Sequence, residues 1–169
     1  MIPMIMECLR SVRRARFFET ERGYQGELLA ALHARLPRAA MPGDAIVEQE
    51  YQKRLPDHGI RVRPDIIIHI PVLAGGNRLQ GNFAVFELKL RAGHAEARED
   101  FVKLDPVFGA LDYPLGVFVN IASAHTQAAH YDGKFGERLH FFAVQLTGCR
   151  IQLTHAYYRE GEIIEETPS

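Results

Sequence analysis

The chain reads as an α/β protein, a mixed sheet flanked by helices in the order α-β-β-β-α-β with additional C-terminal strands. Three observations give that class. One long segment carries apolar residues at helical spacing, several short runs are rich in β-branched residues, and a second helical segment separates two of those runs.

The first helix is expected over 19–36. Thr20 can cap it, Tyr24, Leu28, Ala31, Leu32 and Leu36 form a stripe with 3.6-residue spacing, and Pro37 stops it. The run 45–52, "AIVEQEYQ", alternates as a half-buried strand does, with Ile46, Glu48 and Glu50 on one face. The loop "KRLPDHGI" follows. The second strand is "DIIIHI", 65–70, closed by Pro71. A glycine- and asparagine-rich connection leads to the third strand, "FAVFELKL", 83–90. The run 94–104 is helical, with Ala97, Phe101 and Leu104 facing inward, and Pro106 is expected to end it. "PLGVFVNIA", 114–122, reads as an apolar central strand. "LHFFAVQL" and "RIQLTHAYY" are two further strands joined by a turn. The basic N-terminal stretch and the acidic tail, 159–169, are expected to be mobile or to dock on a partner.

Composition narrows the class. The 169 residues suit one domain; 47% are apolar and 24% charged, which excludes a disordered chain. No apolar run approaches the roughly 20 residues that cross a bilayer, so no membrane partner is expected. The N-terminus has the wrong order of apolar and basic residues for a secretory signal. Cys8 and Cys149 make no disulfide framework or metal spacing, and a reducing cytoplasm is the simplest context. Net charge is -1, but residues 1–63 carry 11 Lys/Arg against 8 Asp/Glu and the remainder 9 against 13. A basic patch on one side is compatible with that asymmetry.

The charged residues inside apolar strands carry the functional argument. Alternation puts Glu87 and Lys89 on one face of their strand, and Asp65, Ile67 and His69 on one face of theirs. Pro64 cannot donate a ladder hydrogen bond, so the strands are free to part where Asp65 and Glu87 converge. Two carboxylates in a part-buried cleft repel and lose water; a divalent cation removes that cost. Oxygen ligands of this kind suit Mg²⁺ or Mn²⁺, and the Leu88 backbone carbonyl, lying between the two charged positions, offers a third oxygen. Lys89 then stands where an ammonium can orient water and balance charge on a phosphorane-like transition state.

With "RPD" at 63–65 and "ELK" at 87–89, each on its apolar strand, the sequence resembles the PD-(D/E)xK nuclease superfamily, the restriction-endonuclease-like fold. The resemblance covers about residues 17–122. It implies a restriction-endonuclease-like αβββαβ core and metal-dependent hydrolysis of phosphodiesters, most readily those of DNA. It also implies Asp65 and Glu87 as metal ligands and Lys89 as the catalytic lysine. The family often adds a glutamate from the first helix; Glu27 is the first choice and Glu21 the alternative.

Arg61, Arg63, Arg91, Lys53, Arg54 and Lys103 form a candidate substrate rim. Each has a plainer explanation. An arginine on a loop is usually solvated, and Asp100 with Lys103 reads as an i, i+3 surface pair. His69 reads as a satisfied core histidine. Glu48 and Glu50 either approach the metal or pair on an exposed edge. The rival to an enzyme is a nuclease-like module that binds nucleic acid or a protein without cutting; a homodimer fits either.

Overall fold

The computed structural model describes residues 1–38, 41–49, 62–71 and 79–168. Among them stand three α-helices, α1 (Ile2–Ser11), α2 (Glu21–Arg35) and α3 (His94–Leu111), and one seven-stranded mixed sheet. The strands are β1 (Ile46–Gln49), β2 (Ile66–His69), β3 (Asn82–Leu90), β4 (Gly116–Ile121), β5 (Leu139–Thr147), β6 (Arg150–Arg159) and β7 (Glu162–Glu166). They lie side by side in chain order. The β3–β4 and β4–β5 pairs are parallel, and all other pairs are antiparallel. The α/β class is therefore as the sequence predicts.

The parity of the strands sorts the core into two layers. Ile66, Ile68, Ala84, Phe86, Leu88, Val117 and Val119 pack with α1 and α2, while Ile67, Val85 and Phe118 pack with α3. A helix layer on each face buries both sides of β4, and all six of its residues are buried.

Three expectations are corrected. The N-terminal stretch is a helix whose Ile5, Cys8 and Leu9 are fully buried, with Val12 buried just past its end, because their spacing gives one apolar face. The acidic tail forms β7, an edge strand hydrogen-bonded to β6 and exposed throughout. Helix α3 runs through Pro106 to Leu111. The carbonyl that Pro106 leaves without an amide partner is that of Val102, which is 69% exposed and open to water. Val107, Phe108 and Leu111 are buried beyond it, so packing holds the helix together past the proline.

Strand β4 fits under α3 only because Gly116 has no side chain. A Cβ there would meet Phe108 Cζ at 2.3 Å and Leu139 Cδ1 at 2.9 Å, both on buried residues. Gly116→Ala is expected to destabilise the protein by about 1–3 kcal/mol, seen as a lower urea midpoint at unchanged slope. An unchanged midpoint would mean that α3 repacks freely there.

Candidate active site

The site grows out of a mismatch in strand length. Strand β2 begins at Ile66, paired with Phe86, whereas β3 runs on to Leu90. On β3 the amides of odd-numbered residues turn to the β4 side: Val85 N–H donates to Leu115 and Arg91 N–H to Ile121. The even-numbered amides turn to the β2 side, where β2 is no longer present. Two carboxylates take its place. Asp65 Oδ2 accepts from Leu88 N–H at 2.7 Å, and Glu21 Oε2 from Leu90 N–H at 3.3 Å. Because a strand residue turns its N–H and C=O to the same edge, the Leu88 carbonyl also faces Asp65. Pro64 sits at this divergence, as the sequence suggests.

The backbone of Asp65 is fixed from two directions. Its N–H donates to the Phe86 carbonyl at 3.1 Å, and its own carbonyl accepts from buried Gln25 Nε2 at 2.8 Å. Gln25 lies one turn after Glu21 on α2, so both side chains leave the helix toward the same strand edge. Thr20 caps this helix, its hydroxyl accepting from Gly23 N–H at 3.1 Å, as expected.

The result is an open cleft of about 430 Å³ lined by Glu21, Val62, Arg63, Asp65, Glu87, Leu88, Lys89, Asp100 and Lys103. Asp65, Glu87, Leu88 and Lys89 are thus brought together, with Arg63 and Lys103 on the rim. The helix acid that reaches the cleft is Glu21, not Glu27. Six residues at 100° each turn Glu27 about 120° away from Glu21 around α2. Arg91 is exposed in the left-handed turn that follows β3, with φ 54°, and does not line the cleft. Glu48 hydrogen-bonds His69 Nε2 at 2.6 Å, so His69 is a satisfied buried histidine and Glu48 is its partner, outside the cleft. Arg61, Lys53, Arg54 and Glu50 lie outside the described residues.

Two further residues matter. Asp100 is not on the surface: it is 2% exposed, with Oδ1 accepting from Lys103 Nζ and Oδ2 standing 3.7 Å from Lys89 Nζ. Asn120, fully buried in the strand read as apolar, holds the turn that carries β3 into α3. Its Oδ1 accepts from Ala92 N–H at 2.8 Å, and its Nδ2 donates to the carbonyls of Ala92 and His125. Register places Asn120 beside Lys89.

Electrostatics follow from burial. Loss of water pushes the Asp65 carboxyl up from 3.8 to about 6; the Leu88 N–H works against that rise, the charges of Glu21 and Asp100 add to it, and Lys89 opposes it. Glu87, 7% exposed, is held well above its ordinary 4.5 by burial first and then by Asp65 and Asp100. Burial works against the charge of Lys103, but the hydrogen bond and charge of Asp100, with Glu87 and Asp65 beyond it, raise its pKa.

A divalent cation fits this donor set. The ligands on offer are hard oxygens, and the two carboxylates carry a charge that the protein alone leaves poorly compensated. Among the described residues no three Asp, Glu, His or Cys side chains are grouped to hold a metal.

No family model, curated protein or solved structure matches this chain. No helix among the described residues is long and apolar enough to cross a membrane.

Proposed function

We propose that the chain is a metal-dependent nuclease of the PD-(D/E)xK kind, with a restriction-endonuclease-like core, hydrolysing phosphodiester bonds in DNA. The observation that carries this reading is the shared cleft. Asp65, Glu87 and Lys89, expected together from strand alternation and from the resemblance, line one cleft where β2 stops and β3 continues, with the Leu88 carbonyl turned to the same edge. The order α2-β1-β2-β3-α3-β4 agrees with the core that the resemblance implies.

Asp65, Glu87 and the Leu88 carbonyl would hold Mg²⁺ or Mn²⁺, which supplies polarisation of the phosphate and acidification of water. The chain's own groups account for the rest. Lys89, about one third exposed at the cleft mouth, orients a water and offsets the negative charge that builds on the phosphoryl oxygens. Arg63 and Lys103 on the rim attract the phosphate backbone. Glu21 is tied to Leu90 N–H and adds negative charge beside Asp65.

Calorimetric titration with Mn²⁺, run beside cleavage assays on single- and double-stranded DNA and on RNA, tests the reading. The parent is expected to bind Mn²⁺ and to cut DNA, and Asp65→Asn to lose cation affinity by about 10-fold or more. A parent without affinity for Mn²⁺ would overturn the enzyme and favour a non-cutting module.

A further inference from the structure

Asp100 occupies a position that the fold would fill more cheaply with a neutral side chain. It stands three residues after Ala97 and four before Leu104, on the stripe of α3 that packs on the sheet. It is almost fully buried, it faces the carboxylates of Asp65 and Glu87, and its Oδ2 has no hydrogen-bond partner. A carboxylate so placed is destabilising by itself. Lys89 ends a flexible four-carbon stem at a cleft mouth. Among the described residues, Asp100 is the acid with which Lys89 forms an ion pair, at 3.7 Å.

We infer that Asp100 is a positioning residue: it holds the Lys89 ammonium toward the cleft, while Lys103, bound to Oδ1, keeps Oδ2 aimed at Lys89. This rests on the nuclease reading above and adds to it the device that orders the lysine. The turn between the two residues is held by hydrogen bonds. Asn120 fixes the turn between β3 and α3, and the Gly93 N–H donates to Glu96 Oε2 at 2.9 Å in the first turn of α3. The separation of the Lys89 and Asp100 backbones is therefore set by the fold, and the buried carboxylate selects among the lysine's rotamers. A salt bridge on a solvated surface would have no such frame and would contribute little.

Asp100→Asn in the full chain tests the inference, since it keeps the shape and removes the charge. The expected result is a kcat lower by about 100-fold, the loss associated with a misplaced reacting group. KM is expected to stay unchanged, Mn²⁺ affinity to weaken far less than in Asp65→Asn because only a neighbouring charge is removed, and the melting temperature not to fall. The Lys89 ammonium, followed by ¹⁵N NMR of its Nζ, should become more mobile. In a Lys89→Ala background, Asp100→Asn should slow cleavage no further, because the two residues act as one unit.

An unchanged kcat would overturn the inference, and so would a variant that fails to fold, which would make Asp100 structural. A loss of Mn²⁺ affinity as large as that of Asp65→Asn would make it a cation ligand instead. Additive losses in the double variant would also overturn it. A parent inert on every substrate would remove the nuclease reading as well, whereas an active parent with an equally active Asp100→Asn removes this inference alone.

Discussion

Replacing Lys89 by alanine is expected to slow DNA cleavage by about 10³-fold while leaving the fold and Mn²⁺ binding in place. The reasoning is electrostatic. Among the described residues, Lys89 and Lys103 are the ammonium groups that line the cleft, and Lys103 is committed to Asp100 Oδ1. Without Lys89, charge building on the phosphoryl oxygens loses a cation of the cleft, and an attacking water loses a group that orients it. The fold should survive, because Lys103 still compensates Asp100. Cation affinity should be unchanged or tighter, since a positive charge beside Asp65 and Glu87 has been removed. Single-turnover cleavage beside Mn²⁺ calorimetry reads both. A variant that cuts at the parent's rate would remove Lys89 from the chemistry.

Glu87→Gln is expected to act in opposite directions on stability and on activity. In cation-free protein near pH 7.5 it should raise the stability by about 2 kcal/mol, because a buried carboxylate next to two others is replaced by a neutral isostere. For a domain of this size that is about 4–8 °C in Tm. With Mn²⁺ present the parent should gain stability and the variant should not, and cleavage should be lost.

The pH dependence supplies the sign. Asp65 titrates at about 6 in the fold against an ordinary 3.8. Between those values the folded protein binds more protons than the unfolded chain, so stability falls as pH rises through the window. Glu87, raised well above 4.5, extends the fall to higher pH. The stability difference between Glu87→Gln and the parent should therefore shrink toward zero on acidification and widen with rising pH. Chemical denaturation from pH 4 to pH 8 without divalent cations measures it. A variant less stable than the parent at pH 7.5 would show that the Glu87 charge is already compensated by the protein.

These predictions combine residues of two kinds. Asp65, Glu87 and Lys89 are legible in the sequence because strand alternation is local: a period of two fixes which face each side chain takes, and Pro64 marks where pairing fails. Glu21, Gln25 and Asp100 are not legible in that way. Each sits on a helix with a readable stripe, but which edge of the stripe overlooks the cleft depends on how the helix is rotated against the sheet. That rotation is decided by side chains distant in sequence, such as Phe101 against Phe118 and Phe141. Glu27 and Glu21 were both compatible with the stripe; only the seating of α2 against β3 separates them. Asp100 and Lys103 satisfy an i, i+3 spacing whether that face is wet or buried.

The N-terminal helix had a readable signal, since Ile5, Cys8, Leu9 and Val12 recur at helical spacing. The basic residues that follow, Arg13, Arg14 and Arg16, interrupt that stripe. The continuation of α3 past Pro106 had none, because it depends on Val102 facing water and Phe108 facing the space above Gly116.

Periodicity within a few residues is enough to give the α/β class, the strand that carries Glu87 and Lys89 and the face those two share, with Asp65 just ahead of the neighbouring strand. The tertiary structure alone decided which helix carboxylate reaches the edge of β3 and that Asp100 is buried against Lys89. It also decided that the two chain ends are packed helix and edge strand. Those outcomes depend on contacts between segments far apart in the chain, where the burial of apolar surface sets the geometry and the charged groups must accommodate it.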